Sequence, residues 1–245
     1  MGITGVSLAK GIENDSLQTM SQVLVEELSD VSRRQIGVLY GPSHAEEVAQ
    51  GRPTTVVAAA PTAPRAEWIQ HAFMTERLRV YANTDVVGVE IGGSAKNVLA
   101  IAAGISDGVG YGDNAKAALV TRGLAEMRRL GLAMGADLQT FAGLAGIGDL
   151  LVTCMSAHSR NRYFGEKIGQ GQSLEAVEAQ MDMVAEGVRT TRSIRALAQQ
   201  QGVEMPITEG VHAVLFEGAN PDDVVNDLMT RPAKREHWLP QGLSS

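Results

Sequence analysis

Cysteine is almost absent from the 245-residue sequence: Cys154 stands alone, so the chain cannot form an intramolecular disulfide. A protein without disulfides fits the reducing cytoplasm, which is the location we predict. The sequence also lacks any run of the roughly 18 apolar residues that a membrane helix needs, so we expect no membrane span. Its first residues show no basic flank followed by a long apolar stretch, which argues against a signal peptide. We also predict no metal site.

Basic residues are outnumbered, since 21 Lys and Arg stand against 28 Asp and Glu and leave a formal net charge of -7. This balance argues against nucleic acid or an anionic membrane as a general partner. With 44% hydrophobic residues the chain can bury a substantial core in one or two domains. An acidic protein can still bind an anion through a local cationic pocket, so its few well-placed Lys and Arg residues are of special interest.

The first 92 residues alternate between short strand patterns and helix patterns. Strands are predicted at residues 2–8, 36–40, 54–60 and 79–82, and helices at 16–28, 43–50 and 65–74. Strands separated by helices indicate an α/β unit whose sheet is at least partly parallel.

From Gly93 onward the patterns are helical, and no strand pattern follows. Helices are predicted at residues 95–105, 114–130, 138–144, 161–168, 185–199, 207–216 and 222–229. We therefore predict an α/β domain over residues 1–92 and an all-α domain over residues 93–245.

No G-x-G-x-x-G fingerprint, the glycine pattern that lets backbone N–H groups approach a pyrophosphate, occurs in the sequence. The glycines at 108, 110 and 112 have the wrong spacing. The pair Gly146 and Gly148 follows a helical pattern and has Leu151 at the third position. Neither segment is predicted to bind a pyrophosphate.

Lys96 is the most informative residue on position alone. In IGGSAKNVLAIAAGI it is the only charged residue between Glu90 and Asp107, near the start of a helix that the pattern predicts to be buried on most sides. A lysine near a helix start can extend its ammonium group to water. Asn97 beside it favours a buried polar site instead, because two polar groups in an apolar run need partners. Desolvation would lower the pKa of such a lysine and suit it to proton transfer.

Two segments follow predicted strands, at the edge where α/β proteins bind ligands. Lys10 is either a surface lysine or a cation at that edge. The turn from Gly41 to Ala45 leads into a predicted helix with Ser43 as its N-cap. Its exposed N–H groups could also contact a ligand.

Two polar groups stand out in the helical part. Asp149 lies among apolar residues in GLAGIGDLLVTC, so it is either a helix N-cap or a buried carboxylate paired with a cation. Ser159 is a natural N-cap, which places Arg160 and Asn161 in the first turn of a helix. Free N–H groups and the helix dipole favour an anion there, and the planar guanidinium suits phosphate; the alternative is a solvated basic turn.

Taken in order, the segments KGIE, GPSHAEEVA, GGSAKNVLAIAAGISDGVGYGDNAKAAL, GLAGIGDLLVTC, SRNRYFG and VAEGV resemble the bacterial NAD(P)-dependent glycerol-3-phosphate dehydrogenases. The resemblance runs from Lys10 to about Phe216. It implies part of a Rossmann-like α/β domain followed by an all-α domain similar to the C-terminal domain of 6-phosphogluconate dehydrogenase.

The resemblance also implies a role for each matched residue. Lys96 would be the catalytic proton donor and acceptor. The substrate would be held by Lys10, Gly41, Ser43, Lys96, Asn97, Asp149, Thr153, Ser159, Arg160 and Asn161. The cofactor would be contacted by Lys10, Ala45, Arg160, Val184 and Glu186.

The implied reaction is the reversible reduction of dihydroxyacetone phosphate by NADH or NADPH to sn-glycerol 3-phosphate, a precursor of phospholipids. The resemblance further implies a cytoplasmic homodimer. The sequence does not distinguish NAD from NADP.

The chain departs from the family pattern at its start, where we expect about three βα units of about 30 residues each to be missing. Two alternatives therefore stay open. The chain could be a non-catalytic remnant that serves as a dimerisation or ligand-binding module, or a related dehydrogenase with another substrate. The SRNR segment favours a phosphorylated one.

Overall fold

The computed structural model describes residues 5–181, 185–233 and 235–236. Four short strands in this part of the chain form one sheet: β1 (Gly5–Ser7), β2 (Ile36–Tyr40), β3 (Thr54–Ala59) and β4 (Leu78–Asn83). β2, β3 and β4 begin and end within one residue of their predicted positions. β1 was predicted at residues 2–8, and residues 2–4 lie outside the described part.

The strands lie side by side in chain order. β1 and β2 are parallel, as are β3 and β4, whereas β2 and β3 are antiparallel. Parallel neighbours need a long crossover, which contains α1 (Met20–Glu27) between β1 and β2 and α3 (Ala63–Phe73) between β3 and β4. Between β2 and β3 the only helix is the short α2 (Ala45–Ala49), and the chain returns in the opposite direction. The predicted partly parallel sheet is confirmed.

Apolar residues cover both faces of this sheet. On one face Val56 packs in a cluster with Ile69 of α3. On the other, Val57 packs in a cluster with Val89 at the start of α4 (Val86–Val109). Successive residues of β3 therefore face opposite sides, as a strand requires. The second cluster attaches the sheet to the helical part of the protein.

Helix α4 is the central element of the helical part. It begins after Asp85, whose side chain accepts a hydrogen bond from the Gly88 N–H, and ends at Gly110, whose φ of 89° is a left-handed C-cap. The helix is long and apolar enough to cross a membrane, but 94% of its most apolar window is buried inside the protein. It is therefore a core helix of the described structure.

Seven further helices follow α4 in the described residues: α5 (Asp113–Ala133), α6 (Asp149–Met155), α7 (Arg160–Gly169), α8 (Leu174–Gln180), α9 (Glu186–Gln200), α10 (Pro206–Phe216) and α11 (Pro221–Met229). The apolar faces of α4 to α10 form the largest core cluster of the described residues, and α11 contributes no residue to it. The predicted all-α character of this part is confirmed.

Glycines allow α4 and α7 to approach until their backbones touch. A Cβ on Gly104 of α4 would lie 2.0 Å from the carbonyl oxygen of Arg162. A Cβ on Gly165 of α7 would lie 2.1 Å from the carbonyl oxygen of Ile101. No larger side chain fits at either position without separating the helices. This contact sets the distance between α4 and the first turn of α7.

The structure corrects several predicted helices. The segment 138–144 is a 3₁₀ turn at Leu138–Ala142 followed by a π-helical turn at Leu144–Gly148. Helices α6 and α8 were not predicted, and α1 begins four residues later than expected. At α1, Thr19 and Gln22 form a capping box that fixes the helix start.

The predicted boundary between Val89 and Gly93 lies inside α4, which continues through it without interruption. Val89 packs on the sheet, while later turns of the same helix pack in the helical core. One rigid element thus belongs to both parts, and the division into residues 1–92 and 93–245 stays a prediction.

Candidate active site

Lys10, which follows β1, lies next to the turn that follows β2. Because these strands are parallel, their carboxyl ends lie together. The Nζ of Lys10 donates a hydrogen bond to the Gly41 carbonyl oxygen at 3.2 Å. It also lies 5.6 Å from the ring centre of Tyr40, whose hydroxyl donates to the Ala9 carbonyl. These contacts hold the Lys10 ammonium at the sheet edge.

Lys96 lies in the middle of α4 rather than near its start, so its ammonium cannot reach solvent along the helix end. The residue is only 7% exposed. Its Nζ donates to Oδ1 of Asp149 at 2.5 Å and to Oγ1 of Thr153 at 2.9 Å. The Thr153 hydroxyl in turn donates to the Asp149 carbonyl oxygen at 2.6 Å. The expectation of a buried lysine with polar partners is confirmed, and the solvated alternative is wrong.

Asp149 is the common partner of both lysines. Its Oδ2 accepts a hydrogen bond from Lys10 Nζ at 2.7 Å, while Oδ1 accepts from Lys96. The residue is 1% exposed and is the first residue of α6, with Gly148 as the N-cap. The N-cap alternative for Asp149 is therefore wrong, and its expected pairing with a cation is confirmed twice over.

Burial lowers the pKa of Lys96 to about 8, because desolvation disfavours the ammonium form. The negative charge of Asp149 opposes this shift, and the positive charge of Lys10 adds to it. The group can therefore both give and take a proton near neutral pH. That property is typical of a general acid–base residue.

The first turn of α7 provides a second group of polar side chains. Ser159 is the N-cap, as predicted, and its Oγ accepts a hydrogen bond from the Arg162 N–H at 3.2 Å. Arg160 and Asn161 follow in the first turn. The Oδ1 of Asn161 accepts from the Gly187 N–H at 2.9 Å and so ties the start of α7 to the start of α9.

These elements enclose one cavity of about 120 Å³. Its lining comes from both parts of the protein and consists of Lys10, His44, Lys96, Asn97, Thr153, His158, Ser159, Arg160, Asn161 and Glu186. Asp149 lies behind the two lysines. Residues far apart in the sequence that were expected to form one site therefore meet, and their individual roles stay predictions.

Some predicted site residues lie outside the cavity lining. Gly41 contributes its carbonyl oxygen to Lys10. Ser43 is exposed and donates to the same carbonyl at 3.1 Å, and Ala45 is also exposed. The N-cap of α2 is His44 rather than Ser43, a correction of the predicted helix start. Val184 lies outside the described residues.

Two cavity residues were missed by reasoning from the sequence. His44 follows β2, and His158 immediately precedes the α7 N-cap, so each belongs to a segment that was already of interest. Their rings contact each other with centroids 5.9 Å apart. The signal that could have identified them is their position, since His44 lies within the turn from Gly41 to Ala45 and His158 directly precedes Ser159.

The charges around the cavity are predominantly positive. Lys10, Lys96 and Arg160 face it, whereas Asp149 is already shared between two of these cations and Glu186 is exposed. An anion entering the cavity would therefore meet three cations and two carboxylates, beside the start of a helix whose dipole favours negative charge. Among the described residues no group of three or more His, Cys, Asp or Glu side chains could hold a metal ion.

The chain matches two family models. Residues 85–226 match the model of the NAD-dependent glycerol-3-phosphate dehydrogenase C-terminus, and residues 2–66 match the model of its N-terminus. The second match covers most of the sheet, and the first begins at the N-cap of α4.

The relatives that the chain resembles are named glycerol-3-phosphate dehydrogenases. The chain is 77% identical over 242 residues to glycerol-3-phosphate dehydrogenase [NAD(P)+] 2 of Salinibacter ruber, covering 99% of the chain and 70% of that protein. It is 58% identical to glycerol-3-phosphate dehydrogenase [NAD(P)+] of Chlorobium phaeobacteroides, covering 94% of the chain and 69% of that protein. The crystal structure of the glycerol-3-phosphate dehydrogenase of Coxiella burnetii is 41% identical, with a TM-score of 0.87 over 92% of the chain and 68% of that structure.

Proposed function

The chain belongs to the NAD-dependent glycerol-3-phosphate dehydrogenase family, and we propose that it transfers hydride reversibly between NADH or NADPH and C2 of dihydroxyacetone phosphate, giving sn-glycerol 3-phosphate. One observation carries this proposal. A buried lysine with a lowered pKa, Lys96, lines the same cavity as Arg160 in the first turn of a helix. A proton-transfer group and an anion-binding group thus face one small space.

The phosphate end of the substrate fits the start of α7. Backbone N–H groups of the first turn have no partner within the helix, and the helix dipole favours negative charge there. Arg160 adds a planar guanidinium that suits phosphate oxygens. Because the Oδ1 of Asn161 is used by Gly187, its NH₂ group is the part that donates toward the ligand.

Lys96 supplies and removes the proton at the C2 oxygen. An ammonium has three N–H donors, and two of them are used by Asp149 and Thr153. The third donates to the carbonyl oxygen of dihydroxyacetone phosphate, and its proton moves to that oxygen as hydride arrives at C2. In the reverse direction neutral Lys96 takes the proton from the C2 hydroxyl as hydride leaves.

Asp149 acts through the two lysines rather than on the substrate. Both of its side-chain oxygens accept from lysine Nζ atoms, and the residue is almost fully buried. It orients Lys96 and opposes the loss of its positive charge. With a phosphate dianion bound, Lys10, Lys96 and Arg160 offset most of the negative charge of Asp149, Glu186 and the substrate, which lowers the cost of excluding water from the site.

The cofactor supplies the hydride when it is bound. The chemical types of the cavity residues fit its nicotinamide end. The Glu186 carboxylate can accept from a carboxamide, and Lys10 and Arg160 can donate to ribose or phosphate oxygens. Roles for Ala45 and Val184 rest on the family resemblance alone. Supply of phospholipid precursors, a homodimeric state and a cytoplasmic location are part of this proposal on the same basis.

The test is oxidation of NADH or NADPH by this chain with dihydroxyacetone phosphate, with unphosphorylated dihydroxyacetone as the matched control. The cofactor is supplied at high concentration because the sequence contains no G-x-G-x-x-G loop. We expect oxidation that requires the phosphorylated substrate. Binding of sn-glycerol 3-phosphate without turnover at any cofactor concentration would indicate a non-catalytic ligand-binding module instead.

A further inference from the structure

His44 and His158 contact each other across the cavity, although they come from different parts of the protein. His44 follows β2 at the sheet edge, and His158 lies between α6 and α7. Their ring centroids are 5.9 Å apart with planes tilted by 55°, and both residues line the cavity. The contact therefore spans the two sides of the substrate pocket.

His44 has an unused polar atom at this place. Its Nε2 is buried and finds no hydrogen-bond partner among the described residues. A buried ring nitrogen without a partner has lost its contact with water and gained nothing in return. A ligand oxygen in the cavity would provide the missing partner.

His158 is placed to contact the same ligand. It is exposed and directly precedes Ser159, which is the N-cap of α7, and Arg160 is the first residue of that helix. Its backbone N–H donates to the Ser156 Oγ at 3.1 Å, which helps to fix the turn. An anion at the start of α7 thus has the His158 ring as a neighbour.

We propose that His44 and His158 bind the phosphate group of the substrate together with Arg160, as a pair of imidazoles that takes up a proton when the phosphate binds. This inference rests on the proposed function, because it deepens how the same cavity recognises its substrate. The two histidines contact the phosphate end of the substrate in this proposal, whereas Lys96 exchanges the proton with the C2 oxygen.

The charges that face His44 explain why uptake accompanies binding. Burial lowers the pKa of His44, and the ammonium of Lys96 and the ring of His158 act in the same direction, whereas a hydrogen bond with the Val152 backbone and the charge of Glu46 oppose them. The cavity also contains Lys10, Arg160 and Glu186. In the free site burial and the Lys96 ammonium therefore favour the neutral form of His44. A phosphate dianion reverses the sign of the local charge, so the imidazolium form becomes favourable in the complex.

The sign of the pH dependence follows from this change. If the pKa of the pair rises on binding, the complex holds more protons than the free protein, and affinity for the phosphate rises as pH falls. The useful window is about pH 6.5 to about pH 7, above the phosphate pKa of about 6 and a full unit below the Lys96 pKa of about 8. Glycerol, which has no phosphate, should cause no uptake.

The experiment combines calorimetry and NMR on the whole chain. Binding of sn-glycerol 3-phosphate is measured at both ends of the pH window, and the histidine ring resonances are titrated with and without ligand. We expect the pKa of His44 to rise by about one unit or more on binding. We also expect H44Q and H158Q each to weaken binding about tenfold at the lower pH and to flatten the pH dependence, as loss of a charged hydrogen bond predicts.

His71 provides the matched control, because it is an exposed histidine on α3 whose ring nitrogen contacts the Glu67 carbonyl outside the cavity. H71Q should bind like the unaltered chain. If the unaltered chain binds the ligand but the pKa of His44 stays constant and both variants bind normally, this inference is wrong and the proposed function stands. If the unaltered chain does not bind sn-glycerol 3-phosphate at all, both are wrong.

Discussion

Lys96 and Asp149 form a buried ion pair whose Nζ and Oδ1 atoms are 2.5 Å apart, although the residues are separated by 53 positions in the sequence. The pair joins α4 to α6, and the second oxygen of Asp149 extends it to Lys10 at the sheet edge. One carboxylate thus holds a cation from each part of the protein. The pKa of Lys96 therefore depends on Asp149 and Lys10 as well as on its own burial.

Replacing Asp149 by Asn removes the negative charge that opposes deprotonation of Lys96 but keeps a side chain of similar shape that can still accept a hydrogen bond. Without its negative charge, Lys10 and Lys96 repel each other and the pKa of Lys96 falls further. The ammonium form needed for reduction is then lost at a lower pH. We expect the pH profile for reduction of dihydroxyacetone phosphate to move toward acid, in addition to a lower kcat. A uniform loss of rate with an unmoved profile would mean that Asp149 does not set the pKa of Lys96.

The unaltered protein should show opposite pH dependences in the two directions. Reduction needs the ammonium form of Lys96, so kcat/KM should fall as pH rises through about 8. Oxidation of sn-glycerol 3-phosphate needs the neutral amine, so its kcat/KM should rise through the same range. Profiles of kcat/KM measured in both directions check this prediction. Identical profiles would contradict a shared acid–base group.

Arg160→Lys keeps the positive charge but removes the planar fork. An ammonium cannot form two parallel hydrogen bonds to a phosphate. We expect KM for dihydroxyacetone phosphate to rise by about tenfold or more while kcat changes little. With unphosphorylated dihydroxyacetone the variant and the unaltered protein should perform alike. An equal loss with both substrates would place the effect of Arg160 elsewhere than at the phosphate.

Gly104→Ala should destabilise the protein by forcing α4 and α7 apart. The added methyl would meet the Arg162 carbonyl oxygen, which is backbone and cannot rotate away. Overpacking of this kind costs about 1–3 kcal/mol or more in the free energy of unfolding. Gly148→Ala is the matched control, since the nearest atom to its added Cβ would be 3.6 Å away and its φ of -62° suits alanine. Denaturant unfolding of both variants measures the difference, and equal stability would show that the helices can separate freely.

The sequence predicted the parts of this structure that depend on local patterns. The strands of the sheet and most helices have strong periodicity or clear caps, such as Ser159 before α7. The isolated charges Lys96 and Asp149 were informative because a charge in an apolar run needs a partner nearby. Their convergence on one cavity agrees with that reasoning.

Features that depend on tertiary packing could not be predicted from local sequence patterns. In the π-helical turn at Leu144–Gly148, Gly146 lies against the Phe141 backbone, a contact with no periodic signature. Likewise, nothing in the local sequence says that His44 and His158 meet. Lys96 was placed near a helix start because the first turns of α4 contain glycines, whereas packing on the sheet extends the helix back to Val86.

Substitution of Lys96 by methionine, which has a similar length and no ionisable group, tests the central claim most directly. Lys10 still neutralises Asp149 in this variant, so the fold and the phosphate-binding residues should persist. Turnover with dihydroxyacetone phosphate and NADH or NADPH should fall by about 100- to 10,000-fold, because the general acid is gone. Calorimetry should show that sn-glycerol 3-phosphate still binds. Turnover within threefold of the unaltered protein would contradict the account, because another group or a water molecule would then have to deliver the proton to the C2 oxygen.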